Sequence, residues 1–216
     1  KPEVRGRYAY QNAVNLVDKG KPFDAIKVLA KHGASSNTKY LDFYKDLTVK
    51  ILSIDSKTEE KQGSELYGAL RTVLFDVLSG VRRRGDSSDG SSVKEFQRLL
   101  MTSHLCVLRL SAIATNQRSL AAKISISLLR ECGTLPWDKA FAQAGSCCAD
   151  VNWQGLSYMF YNRFIDILDA MEDNDTSTIE NTDFADTTIP SPMNMRLPKF
   201  PYADEDQSEE IRNKVL

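Results

Sequence analysis

From Arg5 to Met171, apolar residues recur at the three- and four-residue spacing of helices. Beyond Asp173, four of the seven prolines, Pro190, Pro192, Pro198 and Pro201, fall within twelve positions. The first pattern commits that part of the chain to helices packed on helices. The second forbids a continuous helix, because each proline removes a backbone donor and restricts the residue before it. The change is sharpest between Ile124 and Ile189, where two long apolar helical patterns, Ile126 to Ala149 and Trp153 to Met171, run into an acidic tail. Strand-like alternation of comparable length is absent, so the expected fold class is all-α.

Eight helices are predicted over that span, joined by short Gly, Ser, Asn or Pro turns. The first hairpin runs from Arg5 to Lys19 and from Pro22 to His32, with Pro22 in a first helical turn and Gly33 as a left-handed cap. Within it, Ala13, Gly20 and Ala25, with Leu16 and Leu29, fall at the spacings of a tetratricopeptide-type repeat: the alanines let two helices approach closely and Gly20 turns between them. Helix three is expected over Thr38 to Ile54, and helix four over Ser64 to Arg83. The polar linker Arg84 to Ser91 has almost nothing to bury and is expected to be mobile; its Arg-Gly-Asp triplet is read as chance. Ser92 with Glu95 reads as a capping box opening helix five, Val93 to Ala114. Helix six spans Gln117 to Cys132, helix seven opens with Pro136, and helix eight is Trp153 to Met171.

The architecture predicted from these elements is an α-solenoid of antiparallel helical hairpins, tetratricopeptide-like, over residues 1–172. An extended acidic arm over 173–216 leads into a further helix from Ser208. Phe184, Ile189, Met193, Met195, Leu197, Phe200 and Tyr202 make the arm too apolar for a solvated linker, so it is expected to lie against the helices.

The formal charge of −1 conceals an asymmetry: residues 1–172 carry 24 basic and 19 acidic groups, and residues 173–216 carry 4 and 10. An acidic tail beside a mildly basic body folds back on it or reaches for a basic partner. This is not the strongly basic balance of a nucleic-acid binder, and no nucleic acid is expected as a partner. No run of about 18 apolar residues supports a transmembrane segment, and no leader pattern marks a secretory signal. The missing initial Met and the helical texture at Leu216 predict a piece of a longer chain. Cys106, Cys132, Cys147 and Cys148 lack paired spacing and are expected as reduced thiols in a cytoplasmic setting.

Catalytic groups do not assemble on this reading. Cys147, Cys148 and Ser146 have only His32 and His104 as bases, and no nucleophile elbow surrounds Ser146. Two distant histidines and unpaired cysteines match no zinc spacing, and no Gly-rich loop cradles phosphate. The expectation is no enzyme activity, no cofactor and no metal. Arg82, Arg83 and Arg84 end a helix, where positive charge meets the dipole's negative end, and Asp138 is read as compensating the dipole of helix seven.

Ser125 to Arg130, Leu135 to Phe141, Ala144-Gly145, Asn162 to Asp166 and Asp183 to Pro190 together resemble the intraflagellar transport protein 172 family. Phe43-Tyr44-Lys45 and Val73-Leu74-Phe75 extend the likeness over most of the chain. The resemblance implies the last part of a helical-repeat solenoid and its connecting arm, before a small U-box-like domain. It implies no catalytic residues. It implies a scaffold or adaptor role in intraflagellar transport complex B, with other transport subunits and ciliary cargo as partners, at the cilium or flagellum and its base. The alternative is an accessory segment that positions the downstream U-box-like, ubiquitin-related domain.

A solenoid of hairpins offers a concave surface to extended or helical peptides. If the first hairpin is a true repeat, Arg7, Tyr10, Val14 and Asp18 line that surface. In the alternative, the arm occupies such a groove, anchored by Ile189, Met193, Leu197 and Phe200.

Overall fold

The computed structural model describes residues 2–32, 41–84 and 90–215, and among these every regular element is a helix. The chain divides into two compact units. One comprises Lys1–Leu52 with Gln62–Val107, the other Ser53–Lys61 with Leu108–Leu216. The boundary expected at 172/173 therefore falls inside the second unit. The predicted cap at Gly33 and most of the linker between Arg84 and Ser91 lie outside the described residues.

The first unit opens with α1 (Pro2–Asp18) and α2 (Pro22–His32), a hairpin whose crossing buries Ala13 and Ala25 completely. Gly20 turns the chain at φ +71°. Its N–H donates to the Val17 carbonyl at 2.9 Å and that of Lys21 to the Leu16 carbonyl at 2.8 Å, which satisfies carbonyls left over at the end of α1. α3 (Leu41–Leu52) stacks its rings in an edge-to-face chain: Tyr10 of α1 meets Phe43 at 5.1 Å, Phe43 meets Tyr44, and Tyr44 meets Phe96 at 5.6 Å. α4 (Ser56–Arg84) buries Leu66, Leu70, Val73, Leu74 and Val77. Each such side chain stabilises the unit by about 1.5–3 kcal/mol.

α4 begins at Ser56, eight residues before the start expected at Ser64. Asp55 caps it, accepting from the Thr58 N–H and hydroxyl, both at 2.8 Å. α5 (Gly90–Ala114) likewise starts before Ser92, so the capping box read at Ser92 and Glu95 is not formed as an N-terminus; Glu95 instead pairs with Lys45 at 3.4 Å.

The second unit contains α6 (Arg118–Leu128), α7 (Trp137–Ala149), α8 (Gln154–Asp173) and α9 (Glu205–Val215). The break expected between Cys132 and Pro136 is present, with α6 ending a few residues early: a 3₁₀ turn at Leu129–Glu131 leads into a tight turn in which the Thr134 and Leu135 N–H groups both donate to the Glu131 carbonyl. α5, α7 and α8 each end on an asparagine with positive φ, Asn116, Asn152 and Asn174, using the left-handed cap that Gly20 provides for α1. α9 starts at Glu205 rather than Ser208, because Asp204 and Gln207 form the reciprocal box: the Gln207 N–H donates to the Asp204 carboxylate at 2.9 Å and the Asp204 N–H to the Gln207 side chain at 3.3 Å.

α7 and α8 cross at Gly145. A Cβ there would lie 2.4 Å from the Tyr161 ring, and the Ser157 hydroxyl donates to the Gly145 carbonyl at 2.9 Å. Only the missing side chain permits this approach.

Candidate functional site

Four charged side chains are buried together in the second unit: Glu59, Arg109, Asp138 and Lys139. They enter from separate elements. Glu59 sits in the first turn of α4, set by the Asp55 cap; Arg109 lies near the end of α5; Asp138 and Lys139 open α7 after Pro136. Two cations face two carboxyl groups, so the formal charges of the cluster balance. Glu59 accepts from Arg109 at 2.9 Å and from Gln143 at 2.7 Å on one oxygen, while Lys139 stands 3.1 Å from the other. Lys139 also donates to the Ile54 carbonyl at 3.0 Å. Buried charges persist only with this density of partners.

The arm completes the cluster through Tyr202. Its hydroxyl donates to Glu59 at 2.9 Å and accepts from Gln143 at 3.1 Å, its N–H donates to Asp138 at 2.8 Å, and its carbonyl accepts from the Ser56 N–H at 3.0 Å. The Lys139 ammonium lies 5.0 Å from the centre of the Tyr202 ring. Burial pushes the Tyr202 phenol up, and the Glu59 carboxylate adds to the effect. Burial likewise holds Asp138 above the usual carboxylate range, although the Tyr202 N–H and Lys139 oppose it. Asp138 is thus an arm receptor in addition to a first-turn acid of α7.

A second anchor lies nearer α8. Phe184 is buried against Phe141 at 5.5 Å and stacks on Phe160 at 6.2 Å, and the buried Arg163 guanidinium caps it at 4.7 Å from the ring centre. Arg163 also donates to the Glu180 carbonyl, fixing the backbone just before the aromatic residue. Beyond Tyr202 the arm is tied by Ser56 to Gln207 at 2.6 Å, by Lys57 to Asp204 at 2.7 Å and, from α9, by Arg212 to Asp169.

Of the four residues expected to anchor the arm, two are partly buried and two are exposed. Ile189 and Leu197 are half-buried, while Met193 and Phe200 are 85% and 83% exposed. Among the described residues, the side chains the arm does bury are Ile179, Phe184, Pro192 and Ala203. The expected set followed a near-helical spacing, but its segment is extended apart from 3₁₀ turns at Thr182–Phe184 and Pro192–Asn194, so apolarity alone does not say which residues face inward.

On α1, Arg7 and Asp18 are exposed and Tyr10 and Val14 half-buried, the Tyr10 ring being engaged with Phe43. The more open apolar side of this helix carries Val4 and Tyr8, beside a cavity of about 480 Å³ that Arg5, Ala9, Asn12 and Val28 also line. The four cysteines are free and buried, and burial pushes the Cys148 thiol up to about 11, leaving it protonated at neutral pH. Among the described residues no group of three or more His, Cys, Asp or Glu could hold a metal ion, and no helix is long and apolar enough to cross a membrane.

Glu59, Arg109, Lys139 and Gln143 were not singled out in the sequence. A faint signal exists for one of them, because Lys139, with Asp138 before it, interrupts an otherwise apolar run from Leu135 to Ala142. Glu59 sits in a polar stretch, Lys57 to Gln62, that looks like any solvated helix face.

No protein-family model matches the chain. Over 215 residues, 99% of its length, it is 31% identical to the rat protein named intraflagellar transport protein 172 homolog and 30% identical to the human protein of that name. It is 29% identical over 219 residues to intraflagellar transport protein 172 of Chlamydomonas reinhardtii. The chain spans about 12% of the length of these relatives.

Proposed function

We infer that this chain, a homologue of one segment of the intraflagellar transport protein 172 family, is a non-enzymatic scaffold segment that binds other transport proteins during movement along cilia. The observation that carries this reading is similarity along the whole chain to proteins with that name, from rodents to a green alga. Its helical construction supports it. Hairpins whose helices approach at small residues, Ala13 and Ala25 in one unit and Gly145 against the Tyr161 ring in the other, are the building style of solenoids that work by presenting surface. On this reading the hairpins are tetratricopeptide-like, the complex served is complex B, and the face of Arg7, Tyr10, Val14 and Asp18 contributes to partner contact. The arm acts in cis as part of the second unit.

The test is an affinity pull-down from ciliary extract with the 216-residue chain and with an Arg7→Glu, Asp18→Arg variant, quantified by mass spectrometry. Enrichment of transport-complex subunits, reduced in the variant, is the expected result. Failure to enrich any of them overturns the scaffold role, and equal enrichment moves the contact off this face of α1.

A further inference from the structure

In the first unit, residues of α4 and α5 line a cavity of about 800 Å³. Its floor is apolar, built from Phe75, Leu78, Leu100 and Met101. Phe75 and Met101 remain 58% and 55% exposed although large apolar side chains gain from burial. Two such residues on one open groove form the contiguous apolar surface by which binding sites are recognised, and Met is the side chain that adapts most readily to a partner.

Charge selects the partner. Arg71 and Arg82 both line the groove and so does His104, whereas among the described residues no Asp or Glu does. The arginines are eleven positions apart on one helix, about 16 Å at the helical rise, or three turns. A groove with an apolar floor and a guanidinium toward each end complements a helix with one apolar stripe and carboxylates near its ends.

We propose that this groove binds an acidic amphipathic helix of a partner protein, its apolar stripe on Phe75 and Met101 and its carboxylates against Arg71 and Arg82. The proposal goes beyond the scaffold reading and stands apart from it, since its test contains no transport protein.

The probe is a synthetic helical peptide with leucines at i, i+3, i+4 and i+7 and glutamates at both ends, labelled for fluorescence anisotropy against the 216-residue chain. A counterpart with lysines in place of the glutamates is the control. Saturable binding of the acidic peptide is expected, weakened about ten-fold by Arg71→Glu with Arg82→Glu, while the lysine peptide binds that variant better than the wild type. Phe75→Ser weakens the acidic peptide without this exchange of preference. If the glutamate variant misfolds by circular dichroism, Arg71→Gln with Arg82→Gln gives the same reading in weaker form. The proposal is overturned if the acidic peptide does not bind saturably or if the two peptides bind alike. It is also overturned by binding that ignores the arginine changes, or by a concentration-dependent dimer that Phe75→Ser abolishes.

Discussion

The Tyr202 hydroxyl donates to the Glu59 carboxylate at 2.9 Å across 143 positions of sequence. The bond joins the first turn of α4 to the segment just before α9, and the two backbone groups of Tyr202 are also engaged, by Asp138 and Ser56. An acidic, proline-rich stretch is thereby made part of the second unit, because it satisfies buried charge that the helices alone would leave short of partners.

Tyr202→Phe removes one donor to Glu59 and one acceptor for Gln143 while keeping the ring over Lys139. A loss of about 1–3 kcal/mol is expected. Glu59→Ala strands Arg109 and Lys139 without their carboxylate and is expected to cost more, about 3–5 kcal/mol. Urea denaturation of both variants checks the order; equal midpoints for Tyr202→Phe and wild type would show that the bond contributes nothing.

The arm is held by Phe184 and not by Met193 or Phe200. Phe184→Ala opens a cavity beside Phe141 and Phe160 and is expected to lose about 3–5 kcal/mol, whereas Met193→Ser and Phe200→Ser stay within about 0.5 kcal/mol. Deleting residues 173–216 uncovers the same rings and is expected to drive self-association, seen as a larger mass by light scattering after gel filtration. A monomeric truncation would contradict the packing role assigned to the arm.

Gly145→Ala places a methyl group into the Tyr161 ring. The ring must shift, and about 1–3 kcal/mol of destabilisation is expected. In the Tyr161→Ala background the same substitution meets no ring, so its added cost should nearly vanish. A double-mutant cycle by thermal denaturation reads this coupling directly.

Alkaline pH should destabilise the second unit. Burial raises the Cys132 thiol and the Tyr202 phenol above their ordinary values, so the unfolded chain releases these protons first. Between pH 9 and 10.5 the folded state holds more protons than the unfolded one, and stability falls as pH rises; below the unfolded thiol value the contribution is fully present. Cys132→Ala removes one of the protons involved, and its stability should decline less steeply over that window in urea titrations at stepped pH.

Much of the fold was legible because helices announce themselves locally. The stripes of α3, α4, α5 and α8, the turn at Gly20 and the break after Asp173 all follow from residue spacing and backbone chemistry within a few positions. Helix ends were less legible. Asp55 and Asp204 cap α4 and α9, yet each lies among many polar residues, and only the backbone conformation shows which of them meets an exposed N–H.

What the sequence determined by itself was therefore the class of the fold and the position of the arm, since periodicity and proline act locally and need no partner. Tertiary structure alone decided what holds the arm. Glu59, Arg109, Asp138, Lys139 and Tyr202 are ordinary polar residues when read along the chain. Their role exists only where folding brings them out of water together, and there each buried charge requires the others.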